Sequence, residues 1–131
     1  MTAYNTDFSN NSATYRHYSE STAESTTTGT ALVDKIAETT GGLVAGTYRL
    51  DWSAELKISV VTASARVVVE IDGSSVVDGL VGCTAYARET ASTEIALVSG
   101  VHTIKIRFAR SGGTVETASI KNARVSLYRV A

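Results

Sequence analysis

The stretch TYRLDWSAELKISV, residues 47–60, alternates without a break. Tyr48, Leu50, Trp52, Ala54, Leu56, Ile58 and Val60 fall on one parity, and Thr47, Arg49, Asp51, Ser53, Glu55, Lys57 and Ser59 on the other. Successive side chains of a strand point to opposite faces, so this stretch has one apolar face and one polar face. That is the pattern of an antiparallel sheet with a core on one side and water on the other. The run exceeds the usual strand length of roughly 3–10 residues, which predicts a bend or bulge near residues 57–59, or two strands.

The rest of the chain repeats the pattern in shorter pieces. Ser and Thr make up about a quarter of the residues and Pro is absent, a bias toward strands and turns and away from long helices. ARVVVEIDG places Val67, Val69 and Ile71 inward and Arg66 and Glu70 outward, and ends on Asp72-Gly73, a strong hairpin signal. A second Asp-Gly, at residues 78–79, predicts another turn closing the pair Val76-Val77. TALVDKIAE, residues 30–38, is ambiguous, since Leu32, Val33 and Ile36 also fit a helix turn; a strand ending at Gly41-Gly42 is preferred. The strand around Ile95 and Leu97 and the strand VHTIKIRFAR, with Ile104, Ile106 and Phe108 inward, are separated only by Ser99-Gly100 and predict a hairpin. In the last stretch Ala118 and Ile120 lie on the opposite parity from Ala123, Val125 and Leu127, which predicts a bulge near Lys121-Asn122. Eight or so strands of this kind make an all-β, two-sheet antiparallel β-sandwich, jelly-roll-like. A Cys…Trp…Cys framework for an immunoglobulin domain is missing.

Composition breaks near residue 28. Residues 1–28 are rich in Ser, Thr and Asn, with aromatics at Tyr4, Phe8, Tyr15 and Tyr18, and bury little by themselves. They read as a polar N-terminal arm, with residues 29–131 as the β-sandwich domain; the alternation at residues 15–18 equally suits a first strand of the sandwich. In the arm reading, Tyr4, Phe8, Tyr15, Arg16 and Tyr18 are the candidate partner-binding residues, because a tyrosine offers an apolar body and a polar tip to another subunit.

Chemistry is sparse. With Lys+Arg 12 against Asp+Glu 13 and a net charge of -1, the chain has no bulk field for nucleic acid or an anionic membrane. It has no apolar run near the roughly 20 residues of a membrane helix, and its first residues lack the charged start and apolar run of a signal peptide. Cys83 is expected to be a small buried residue. His102, beside Gly100, is expected to be an exposed strand residue, and with His17 and Cys83 it makes neither a nucleophilic triad nor a zinc set. Glu70, Asp72 and Asp78 could supply oxygen ligands to calcium, and Asp51, Glu55, Glu70, Glu89 and Glu94 could supply a glycosidase pair. Asp-Gly turns need no metal, and polar sheet faces carry such carboxylates as a rule. The expectation is no enzyme, with no catalytic, metal or cofactor site.

The strings AGTYRLDWSAEL, RVVVEIDG, LVSGVHTIKIRF and IKNARVSLYRV together resemble jelly-roll virion proteins of tailed bacteriophages, including head decoration (cement) proteins and fibre or tail domains. The resemblance covers residues 45–130. It implies a structural protein that binds the major capsid protein or another virion protein and forms a homotrimer. On this reading the chain sits on the capsid surface of the virion, stabilises the head, and is made in the bacterial host cytoplasm. The same rhythm is similar to galactose-binding-type carbohydrate modules, so a host-receptor or glycan-binding domain of a head or tail fibre is the first alternative, and a minor tail or neck protein the second. No heptads or repeats of a fibre shaft are present, which favours decoration.

Overall fold

A computed structural model describes residues 16–131. Nine strands form in chain order: β1 (Arg16–Ser21), β2 (Ser25–Thr27), β3 (Val33–Thr39), β4 (Gly46–Ile58), β5 (Ser64–Ile71), β6 (Ser74–Val81), β7 (Ala87–Leu97), β8 (Thr103–Ser111) and β9 (Ala118–Arg129). One sheet has the order β1-β9-β4-β7, with β2 also on β9, and the other has the order β3-β8-β5-β6. All pairings between named strands are antiparallel. With β1 and β2 counted as one interrupted strand, each sheet has four members drawn alternately from the two halves of the chain, which is the jelly-roll order.

The interruption has a local cause. Across β4 and β9, Ser53 stands opposite Arg124 but Glu55 stands opposite Lys121, so β9 carries one extra residue. That residue is Asn122, whose φ of 50° places it in the left-handed region that Asn tolerates better than most side chains. The Asn122 amide donates to Thr22 O at 3.2 Å, in the gap between β1 and β2. The bulge therefore lets Ala118 and Ile120 face the core together with Ala123, Val125 and Leu127, all at most 1% exposed. β4 itself is a single strand through Ile58, and its irregular pairing lies at residues 53–55 rather than 57–59.

Three further expectations change. Within the segment read either as an arm or as a first strand, residues 16–21 and 25–27 are edge strands, because β9 offers them a ladder of backbone partners. β7 and β8 are not a hairpin: β7 pairs with β4 and β8 pairs with β3 and β5, so residues 98–102 cross between sheets. Gly100, with φ 125°, sits in that crossing and bridges to Leu43. Asp78-Gly79 lies inside β6, where Arg66 grips the Asp78 carboxylate with two hydrogen bonds of 2.9 and 2.7 Å. The Asp72-Gly73 turn does form, with φ values of 53° and 82° and Ile71 opposite Ser74.

The core lies between the sheets. Leu50, Val69, Ile104, Ile106, Phe108 and Leu127 are fully buried, and Val67 and Trp52 are 2% and 5% exposed, as the alternation requires. Among the described residues no helix is long and apolar enough to cross a membrane.

Candidate functional site

The outer face of the β1-β9-β4-β7 sheet is built in rows by its register. One row runs Tyr18, Ser126, Asp51, Ser92, and the next runs Glu20, Arg124, Ser53, Thr90. These are the polar parity of β4 and its neighbours, so they point away from the core. Between β4 and β7 the rows are closed by cross-strand pairs. Arg49 binds Glu94 at 3.0 Å and Arg88 binds Glu55 at 3.2 Å, and Ser92 donates to Asp51. Toward β9 the side chains shorten, and an open groove of about 230 Å³ lies over Tyr18, Asp51, Ser53, Thr90, Arg124 and Ser126.

The groove holds an anomaly. Ser126 is 8% exposed, and its Oγ is buried without a hydrogen-bond partner among the described residues. A buried hydroxyl left unpaired costs about 1–3 kcal/mol, so its presence calls for a reason. At the rim Tyr18 is half exposed, and its hydroxyl donates to Glu20 at 2.9 Å. That hydrogen bond, aided by desolvation and by the Glu20 charge, pushes the phenol pKa up against the opposing pull of Arg124. At the end of the same face Tyr86 reaches in from the β6–β7 connection. Its ring lies under the ammonium groups of Lys57 and Lys121, 4.7 and 4.2 Å from its centroid, and its hydroxyl donates to Glu24. Burial, then the Glu24 hydrogen bond, pushes its pKa up to about 12.

A second cluster ties together the end of the sandwich where β5 meets β6. His102 is 5% exposed, not on the surface as its place beside Gly100 suggested. Its Nδ1 is 2.5 Å from Asp72 Oδ2 and its Nε2 is 2.7 Å from Val98 O. Carboxylate and carbonyl oxygens only accept, so both contacts are satisfied together when the ring is protonated on both nitrogens. The Asp72 hydrogen bond outweighs desolvation and raises the His102 pKa. Burial pushes Asp72 up, but hydrogen bonds from His102 and the Thr103 amide prevail and lower it. Because Val98 O occupies the second nitrogen, the His–Asp pair fastens the β5–β6 turn to the crossing before β8 and offers no free base.

The other sequence candidates separate. Tyr4, Phe8 and Tyr15 lie outside the described residues, and Arg16 is placed only by its backbone, opposite Tyr128. Tyr18 alone of the five reaches the groove. Cys83 is exposed rather than buried, since it lies in the connection after β6. Glu70, Asp72 and Asp78 face Arg107, His102 and Arg66 respectively, and no group of three metal-ligating side chains occurs among the described residues. Asp51, Ser53, Thr90, Arg124 and Ser126 were not singled out together by the sequence. Their shared signal is short polar residues on the outward parity, which becomes a site only once the strand order is known.

The chain matches no protein-family profile and no curated protein. It is similar in structure to the EclA C-terminal domain, a sugar-binding protein, with a TM-score of 0.52 and 16% identity over 80% of this chain and 78% of that one. It is also similar to a chain in the structure of infectious bursal disease virus, Gt strain, with a TM-score of 0.60 and 9% identity. That match covers 98% of this chain and 38% of the viral one. At such identities the likeness is one of fold.

Proposed function

We propose that the chain is a structural virion protein, a capsid decoration protein of a tailed bacteriophage that binds the major capsid protein lattice and acts as a trimer. The observation that carries this reading is where apolar surface is left exposed. Val60, Val61 and Val115 stand at one end of the sandwich, where Ser59 and Thr117 join their loops by a 3.0 Å hydrogen bond. Val98, Val101 and Val130 stand at the other, and Tyr18, Val33 and Leu80 lie on strands at sheet edges. Ends and edges are the surfaces that neighbours in a lattice cover, and the similarity to a viral chain supports the same reading. A protein that binds only the assembled shell stabilises it by mass action, and a trimer is the closed assembly that matches a three-fold position of a lattice. The reading assigns no enzymatic role.

The test is to add the purified chain to expanded capsids that lack it and measure co-sedimentation. Binding that Val61→Asp and Val115→Asp abolish without unfolding the protein supports the proposal, and failure to bind any capsid form contradicts it. Removing residues 1–15 asks whether the arm contributes, whereas removal through residue 20 also strips most of β1 from β9.

A second reading, glycan binding, is favoured by the unpartnered Ser126 hydroxyl in the groove. The similarity to a sugar-binding domain supports it.

A further inference from the structure

We infer that the groove on the outer face of the β1-β9-β4-β7 sheet is a saccharide subsite that takes one neutral hexopyranose ring, with Asp51, Arg124 and Ser126 as its polar contacts and Tyr18 as its stacking surface. This rests on the glycan-binding reading and not on assembly into a virion.

Four observations converge on it. Ser126 Oγ is a donor and an acceptor at the groove floor with no partner among the described residues and almost no exposed surface, so a ligand hydroxyl satisfies both roles once the side chains over it part. Asp51, beside it in register, has one carboxylate oxygen engaged by Ser92 and lone pairs to spare. Arg124, in the next row, brings a fork of N–H donors. A carboxylate and a guanidinium on adjacent strands suit two neighbouring hydroxyls of a sugar, one donating and the other accepting. Tyr18 completes the rim with a half-exposed ring, whose negative face attracts the C–H face of a pyranose.

Charge and size narrow the ligand. The groove lining carries one acid, Asp51, and one base, Arg124, and is otherwise neutral. An anionic sugar or a phosphate would meet the Asp51 carboxylate, and a cation would meet Arg124, so a neutral ring is preferred. A volume of about 230 Å³ falls below the roughly 300–1,000 Å³ of pockets that enclose a drug-sized ligand. One ring fits, and the open side lets the remainder of a glycan leave into solvent.

The experiment uses the full chain, first on an array of neutral and sialylated glycans and then, isotopically labelled, in an NMR titration with the methyl glycoside of the best neutral terminal sugar. The expected result is binding to glycans with one neutral terminal hexose. Amide shifts should centre on residues 51–53, 90 and 124–126, and affinity should fall about tenfold or more in Asp51→Asn, as for loss of a hydrogen bond to a charged group. Ser126→Ala should weaken binding severalfold with an unchanged free-protein spectrum elsewhere. Binding that shifts only residues at the sandwich ends and survives Asp51→Asn overturns the groove but leaves the glycan-binding reading standing. Preference for sialylated glycans overturns the neutral-ring assignment. No binding anywhere on the array overturns both the subsite and that reading.

Discussion

The two sheets turn polar faces to the solvent, and they finish them differently. On the β3-β8-β5-β6 sheet the outward residues are long and paired. Arg107 reaches Asp34 at 2.8 Å and Glu70 at 3.4 Å, and Arg66 grips Asp78. Beneath these side chains the outward-facing Val68 and Ala109 have no exposed surface, and Glu70 is 9% exposed. The aliphatic stems of arginine cover apolar surface while their heads stay wet. On the β1-β9-β4-β7 sheet the central outward residues other than Arg124 are Ser126, Asp51, Ser53 and Thr90, too short to cover the backbone between them, and the groove is what remains. Both faces have polar parity, so side-chain length, set against the register of neighbouring strands, decides which one closes.

The largest expected effect lies under both faces. Trp52→Ala should lower stability by about 3–5 kcal/mol, measured by urea unfolding. Trp52 Nε1 is buried without a partner among the described residues, so removal of the ring also relieves one unpaired donor and the loss should fall toward the lower end. A change below about 1 kcal/mol would mean that the ring does not fill the core.

Next comes the closed face. Arg107→Ala leaves Glu70 without the guanidinium and uncovers Val68, and should cost about 1–2 kcal/mol. Asp51→Asn on the grooved face should change stability by less than about 0.5 kcal/mol. Equal losses for the two variants would erase the distinction drawn between the faces.

The His102–Asp72 pair gives a pH signature that belongs to neither face. The folded-state pKa of His102 is raised, so its contribution is complete below the unfolded value near 6.5 and is lost as pH rises through the folded pKa. That of Asp72 is lowered, so its contribution is present above the unfolded value near 3.8 and is lost as pH falls through the folded pKa. Thermal melts should therefore show a loss of stability as pH rises above about 6.5 that His102→Gln removes. A melt profile unchanged by that substitution contradicts the fastening role.

The smallest effect is the sharpest. Ser126→Ala removes a hydroxyl that has no partner among the described residues, so stability should stay the same or rise by up to about 1 kcal/mol. A clear loss would show the hydroxyl to be bonded within the protein, and the contrast with the closed face would weaken.

Much of the fold was legible because period-two alternation reports burial directly. The residues 47–60 gave β4, and the parity change between Ile120 and Ala123 gave the bulge that Asn122 makes. Strand partners were not legible. Ser99-Gly100 looks like a hairpin turn, yet it carries the chain from one sheet to the other, because a short connection fixes proximity without fixing pairing. Asp78-Gly79 looks like a turn, yet Arg66 and the β5 ladder hold it in a strand. His102 followed the same rule: its burial comes from Asp72 and Val98, one of them 30 residues away. The groove needs four strands side by side, β1, β9, β4 and β7, from both halves of the chain, so only Tyr18, as a partner-binding residue, and Asp51, as one of a set of carboxylates, were named in advance.

The central claim is that this jelly roll is a repeating component of a shell, and copy number per particle tests it most directly. Quantitative mass spectrometry of purified virions, with the major capsid protein as internal standard, should return on the order of hundreds of copies in fixed ratio to the lattice. About a dozen copies or fewer would contradict the account and assign the chain to the tail, neck or fibres.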